Sequence, residues 1–106
     1  MMDHLLANEL FDLYGPLLST RQQEVLELYF QDDLSLSEIR ENLDISKAAV
    51  YDALNKGTAA MDSYEQKLHL YKKKQVLLAY LQKHPEAAEL AILFEDPSSM
   101  DQTEES

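Results

Sequence analysis

Lys47, Tyr51 and Asn55 recur at four-residue spacing directly after Ser46, a residue suited to capping a helix, and Lys56 follows. On a helix, residues so spaced share an outward face. Their chemistry is that of nucleic-acid contact. Lys47 could meet a phosphate or a guanine edge, Asn55 an adenine, and Tyr51 a phosphate. Lys56, with Lys72 to Lys74 further along, could add phosphate contacts, and Ser46 stands at the start of the same surface. Ala48 offers at most an apolar contact, and Asp52 would repel a phosphate backbone. The set is thin, because this helix carries no arginine, the usual bidentate reader of guanine.

Other chemistries find less support. There is no cysteine, so disulfides, thiolate metal sites and thiol nucleophiles are excluded. His4, His69 and His84 lie far apart with no paired ligand at helical spacing, and read as isolated histidines rather than a metal site. Two lone glycines, Gly15 and Gly57, cannot build a phosphate-cradling loop. The serines and acids read as caps and solvated faces, Glu24, Glu27, Asp32 and Asp33 among them. No activated nucleophile is apparent, so the chain is expected not to be an enzyme and to need no cofactor. Tyr64, Tyr71 and Tyr80 could stack on RNA bases, although at helical spacing they fit a core or a seam better.

Those side chains need a frame, and hydrophobic periodicity supplies it. Leu5, Leu6, Leu10, Leu13, Tyr14 and Leu17 describe one stripe of a first helix, closed by Gly15-Pro16. A second helix opens at Ser19-Thr20, with Thr20 and Gln23 as its capping box and Val25, Leu26, Leu28, Tyr29 and Phe30 inward. Ser35 and Glu38 cap a third, whose core face is Leu36, Ile39 and Leu43. Asp44-Ile45 is a tight turn, and Ser46 caps a fourth helix with Ala49, Val50, Ala53 and Leu54 inward. Two helices so joined form a helix-turn-helix over 35–57, which projects the start of the second helix outward. An ordinary pair of crossed helices is the alternative.

The fourth helix meets no strong stop until about Lys74, with a kink or fraying expected at Gly57. Leu54, Met61 and Leu68 recur every seven residues, and Tyr64 and Tyr71 keep the same period. This seam packs on the first helix, joins two copies of the chain in a homodimer through Met61, Tyr64, Leu68 and Tyr71, or does both on different sides of the helix. A fifth helix is expected over Gln75 to Lys83 and a sixth from Glu86 to Phe94 behind Pro85.

Charge divides the chain. Residues 1–46 carry ten acids against two bases, residues 47–84 seven lysines against three acids, and residues 85–106 seven acids and no base, for a net −11. Only the middle block could attract phosphate, and the acidic ends would repel it. The most apolar stretch, Ala87 to Phe94, is too short to cross a bilayer, and the start lacks the pattern of a signal peptide. No membrane partner is expected, and the location expected is cytoplasmic. Residues 1–94 read as a single helical domain, and 95–106 as an acidic disordered tail.

The segments LYGPLLSTRQQEVLELYF, DLSLSEIRENLDISKAAVYDAL and SYEQKLHLYKKK resemble the YlxM/p13-like family (UPF0122) of Gram-positive bacteria, over about residues 5–74. The resemblance implies a helix-turn-helix like region four of bacterial sigma factors. The fold class expected is therefore all-α: a winged-helix-like or sigma region-four-like core of three to four helices, a long fourth helix and a C-terminal helical extension. Genes of the family typically lie beside that of the signal recognition particle GTPase. The resemblance thus implies a regulatory or accessory part in that pathway, with the GTPase or its RNA as partners. A sequence-specific DNA-binding regulator, and an interaction module using the motif only as scaffold, are the alternatives. Family members tend to a small residue where this chain has Arg40, whose head must snorkel outward, and to glycine at Asp44. They tend to arginine-glutamine at Lys47-Ala48 and lysine-arginine at Asn55-Lys56. The contacts the resemblance carries over are Ser46, Lys47, Tyr51, Asn55 and Lys56.

Overall fold

The computed structural model describes residues 2–94, and the tail expected over 95–106 lies outside them. The elements are α1 (His4–Tyr14), α2 (Thr20–Leu26) with a π-helical turn over Glu27–Gln31, α3 (Leu36–Leu43), α4 (Lys47–Leu68) and α5 (Leu70–Lys83). Tight 3-10 turns over Gly15–Leu17 and Pro85–Phe94 complete them. No strand occurs among the described residues, so the fold is all-α and carries no β-wing there. One compact unit ends at Tyr71 and a second begins at Lys72.

In the first unit, α4 is the central element, packed on α1, α2 and α3. The buried core is Ala7, Leu10 and Tyr14 from α1, Leu18, Val25, Leu26 and Phe30 around α2, Ile39 from α3, and Val50, Ala53, Leu54 and Met61 from α4. The expected α1 stripe needs correction. Ala7, Leu10 and Tyr14 keep the three-then-four spacing that faces α4, which leaves Leu5 76% exposed in the first turn. The 3-10 turn after Tyr14 then swings Leu17 outward and brings Leu18 in.

The α2 capping box also lies one residue earlier than expected. Ser19 is extended and Thr20 already helical, so Ser19 Oγ accepts from the Gln22 amide at 3.2 Å and Gln22 Oε1 accepts from the Ser19 amide at 3.1 Å. Gln23 instead donates to the Leu18 carbonyl at 2.9 Å. Beyond Leu26 the helix widens by one π-turn, which fits a run too apolar for a single helical face. Phe30 is buried while Leu28 and Tyr29 are only half-buried. Asn8 of α1 donates to the Phe30 carbonyl at 3.1 Å, satisfying an acceptor at this helix end.

The α3 box forms as expected: Ser35 Oγ accepts from the Glu38 amide at 3.1 Å and Glu38 Oε1 from the Ser35 amide at 3.0 Å. That amide holds the Glu38 carboxyl below its ordinary range. Asp44 closes α3 in the left-handed conformation (φ 52°), as a residue standing in for glycine must. Its neighbour Ile45 donates back to the Arg40 carbonyl at 3.2 Å, a tight reversal that aims the chain into α4.

Two expectations for α4 fail. The helix runs unbroken through Gly57, with no kink, and it stops at Leu68 rather than near Lys74. Gly57 is buried, and a Cβ there would lie 2.8 Å from Leu26 Cδ1 and 3.1 Å from Cδ2. Its missing side chain is what lets α2 and α4 touch. At the other end His69 takes a left-handed conformation (φ 55°), and the α5 start is clamped from α1. Tyr14 Oη donates to Glu65 Oε1 at 2.6 Å and accepts from the Leu70 amide at 3.1 Å, while the same Glu65 oxygen accepts from the Tyr71 amide at 3.0 Å. This side-chain pair occupies two amides in the first turn of α5.

The seam residues mostly turn toward their own chain. Leu54 and Met61 are fully buried, and Tyr64 stacks on Tyr14 at 5.8 Å between ring centroids. Met61 and Tyr64 are therefore engaged within the chain, which removes Met61 from the surface proposed for a homodimer. Leu68 stays 44% exposed. In the second unit, Pro85–Phe94 forms 3-10 turns interrupted at Ala87, not the α-helix expected, and neither α5 nor this segment has a buried residue.

Alanine at Gly57 gains about 1 kcal/mol of helix propensity but overpacks a methyl into the Leu26 side chain at a cost of about 1–3 kcal/mol. Gly57→Ala should therefore lower the urea midpoint, and pairing it with Leu26→Val should restore part of the loss. A rise in the midpoint would show that α2 moves aside freely. Burial and the Glu65 hydrogen bond push the Tyr14 phenol up from 10.0 to about 12. Because the folded-state value is the higher one, its contribution is full below about pH 10 and fades as pH rises through about 12. Alkaline absorbance titration should show a phenol ionising near about pH 12 in the native protein, and that step should be missing in Tyr14→Phe. The same variant should lose about 1–3 kcal/mol at neutral pH, since Glu65 and the Leu70 amide keep no phenol partner.

Candidate nucleic-acid interface

The start of α4 is fixed by its cap. Ser46 is extended (ψ 158°), and its Oγ accepts from the Ala49 amide at 3.1 Å. The hydroxyl is thus engaged in holding the helix start rather than standing free as an acceptor. From there, Val50, Ala53, Leu54 and Gly57 point into the core, which sends Lys47, Ala48, Tyr51, Asp52, Asn55 and Lys56 to the outside.

Helical periodicity orders those outward residues. Ala48, Asp52 and Asn55 occupy the middle of the face opposite the core, Lys47 and Tyr51 one margin, and Lys56 the other. The structure thus brings all five expected contacts, Ser46, Lys47, Tyr51, Asn55 and Lys56, onto one exposed helix start, but with unequal chemistry. Lys56 Nζ lies 3.2 Å from Asp52 Oδ1, so one cation is paired with an acid on its own helix. The pair is solvated and of small energetic weight, yet it lowers the net charge offered to a phosphate. Lys47 Nζ stands 5.9 Å from the centre of the Tyr51 ring, within cation–π range. Lys72, Lys73 and Lys74, expected to extend this surface, fall in the second unit.

One feature was not assigned from sequence. Leu36, Ser37 and Arg40 of α3 and Lys47, Val50 and Tyr51 of α4 line a crevice of about 310 Å³ between α3 and the first turns of α4. Arg40, whose head must snorkel outward, is exposed as expected. The tight turn that brings the last part of α3 close to the first turn of α4 was the available signal. Arg40 and Lys47 lie on opposite sides of that turn.

Elsewhere, chemistry is sparse. His4 packs against the Tyr29 and Phe30 rings at 5.3 and 4.9 Å, and His84 stacks on Tyr80 and meets Glu86 Oε1 at 3.2 Å. Among the described residues no group of three or more His, Cys, Asp or Glu could hold a metal ion. No helix there is long and apolar enough to cross a membrane.

Comparison with known proteins agrees with this architecture. The family described as helix-turn-helix protein, YlxM / p13 like, matches residues 1–94. A UPF0122 protein of Caldanaerobacter subterraneus subsp. tengcongensis is 44% identical over 81 residues, 76% of this chain and 69% of the relative. One from Limosilactobacillus reuteri is 49% identical over 69 residues, 65% of this chain and 61% of its own length, so the match spans about three fifths of that relative. One from Lactococcus lactis subsp. cremoris is 37% identical over 101 residues, 92% of this chain and 91% of the relative. With its capped α3, left-handed turn at Asp44 and capped α4 all within the matched residues, the chain belongs to the YlxM/p13-like helix-turn-helix family, UPF0122.

Proposed function

We propose that the protein is a non-enzymatic accessory factor of the signal recognition particle pathway, working in the cytoplasm and binding its partner through the α3–α4 surface. One observation carries the choice of partner over DNA. The middle of the α4 face holds Ala48, Asp52 and Asn55, and its Lys56 is paired to Asp52, so the helix that would lie in a major groove presents an acid near the centre of its outer face. Base readout depends on cationic or amide side chains reaching base edges, and non-specific affinity on phosphate neutralisation. Here Asn55 alone suits a base edge from the middle of that face. The pathway itself is supported by the family, whose genes typically neighbour that of the particle's GTPase.

Sequence-specific DNA binding is the second reading, favoured by the exposed Lys47, Tyr51 and Asn55 at the helix start. The two readings separate in one comparison. The full chain should co-sediment with the purified GTPase or with the assembled particle and its RNA, and should show no saturable anisotropy change with genomic DNA fragments at low salt. Absence of association with either form of the particle, by folded protein, would overturn the pathway role. Saturable DNA binding that falls steeply with salt and weakens on Asn55→Ala would establish the second reading instead.

A further inference from the structure

The crevice between α3 and α4 has a mixed lining that the reading of the α4 face does not use. Its base is apolar, with Leu36 half-buried, Val50 buried and the Tyr51 ring 39% exposed. Its charged groups are Arg40 and Lys47, one from each helix, and Ser37 and Tyr51 add hydroxyls. Neither cation is in an ion pair among the described residues, in contrast to Arg21, which meets Glu24 Oε2 at 3.6 Å, and Lys56 with Asp52. Two unneutralised cations beside apolar walls are suited to a ligand that is partly anionic and partly apolar.

The charge around the crevice narrows the ligand further. Residues 1–71 hold thirteen acids and five basic side chains, so the whole surface repels a polyanion even though this spot attracts an anion. A single carboxylate at contact distance feels chiefly Arg40 and Lys47, because more distant acids are screened over about 8 Å at physiological salt. An extended phosphate backbone could not use the crevice's apolar walls and would meet the excess of acids carried by the unit as a whole. We propose that this crevice binds an Asp or Glu side chain carried beside an aromatic or aliphatic residue on a protein partner. The carboxylate accepts hydrogen bonds from Arg40 and Lys47, and the apolar neighbour lies against Leu36, Val50 and Tyr51. This inference rests on the α3–α4 surface being the partner-binding face.

The test uses the isotopically labelled full chain and small probes followed by amide chemical shifts. 4-Phenylbutyrate, an anion on an apolar body, should give saturable shifts confined to residues 36–40 and 47–51. Its neutral amide analogue should bind several-fold more weakly, and inorganic phosphate should not saturate. Arg40→Gln, at an exposed position, should keep the native spectrum and weaken 4-phenylbutyrate about tenfold, as loss of one charge-assisted hydrogen bond predicts. Failure of the anion to saturate, or an affinity equal to that of its amide, would overturn the proposal. Phosphate saturating as tightly as 4-phenylbutyrate would also overturn it, marking a nucleic-acid phosphate contact instead. If the chain sediments with the particle while the probe never saturates, the crevice inference falls and the functional reading stands. A saturating probe with no particle association leaves the crevice in place and removes the pathway.

Discussion

Gly57 lets α4 approach α2 until the Leu26 methyl groups occupy the space a Cβ would need, and the remaining contacts of the first unit are arranged about that approach. With α4 held against α2, Leu54 and Met61 reach the core beside Val25 and Leu26, and α1 closes over them with Leu10 and Tyr14. The start of α4 then has one direction available, set by the turn from α3. A larger side chain at Gly57 would force the two helices apart and lift the α4 start with them, because packed interiors transmit displacement rather than absorb it. The site and the core are coupled through one missing side chain.

Three chain reversals in this unit use non-glycine residues in the left-handed region: Asp33, Asp44 and His69. Such positions favour glycine, but Asp and His tolerate them better than most side chains. Each is supported from elsewhere. The Leu34 amide reaches back to the Leu28 carbonyl at 3.0 Å, Ile45 to Arg40, and the start of α5 is held by Tyr14 and Glu65. The Tyr14–Glu65 pair links α1, α4 and the start of α5 at one point, which is why the helix can turn at a histidine without an intrinsic breaker.

That is also where sequence reading reached its limit. The Ser35–Glu38 box, the Ser46 cap and the inward Val50 and Leu54 were legible because each depends only on neighbours a few residues away. The register of the α2 cap was not, since Ser19 and Thr20 offer the same hydroxyl chemistry and only backbone conformation distinguishes them. The end of α4 was missed because it depends on Tyr14, more than fifty residues away in the chain from the Leu70 amide it accepts. Gly57 looked like a weak point for the same reason, since its partner Leu26 lies on another helix. Ser46, Lys47, Tyr51, Asn55 and Lys56 are exposed, as their spacing implies, but the Asp52–Lys56 pair and the Arg40–Lys47 crevice are properties of the folded arrangement.

The acidity of the helix-turn-helix unit has structural causes that bear on what it can bind. Glu38 caps α3, Glu65 receives the Tyr14 phenol and the Tyr71 amide, and Asp33 and Asp44 occupy reversals where a short polar side chain is tolerated. Several acids of this unit are thus the same residues that cap its helices, hold its helix ends or form its reversals. Architecture and readout are separable in this protein: the caps and turns that define a helix-turn-helix work through backbone amides, whatever the outer face carries. The same scaffold leaves residues 1–71 with thirteen acids against five basic side chains, a balance unfavourable to general attraction of a polyanion. On the proposed reading, selectivity for a small anionic group over a long one would follow from that surrounding charge.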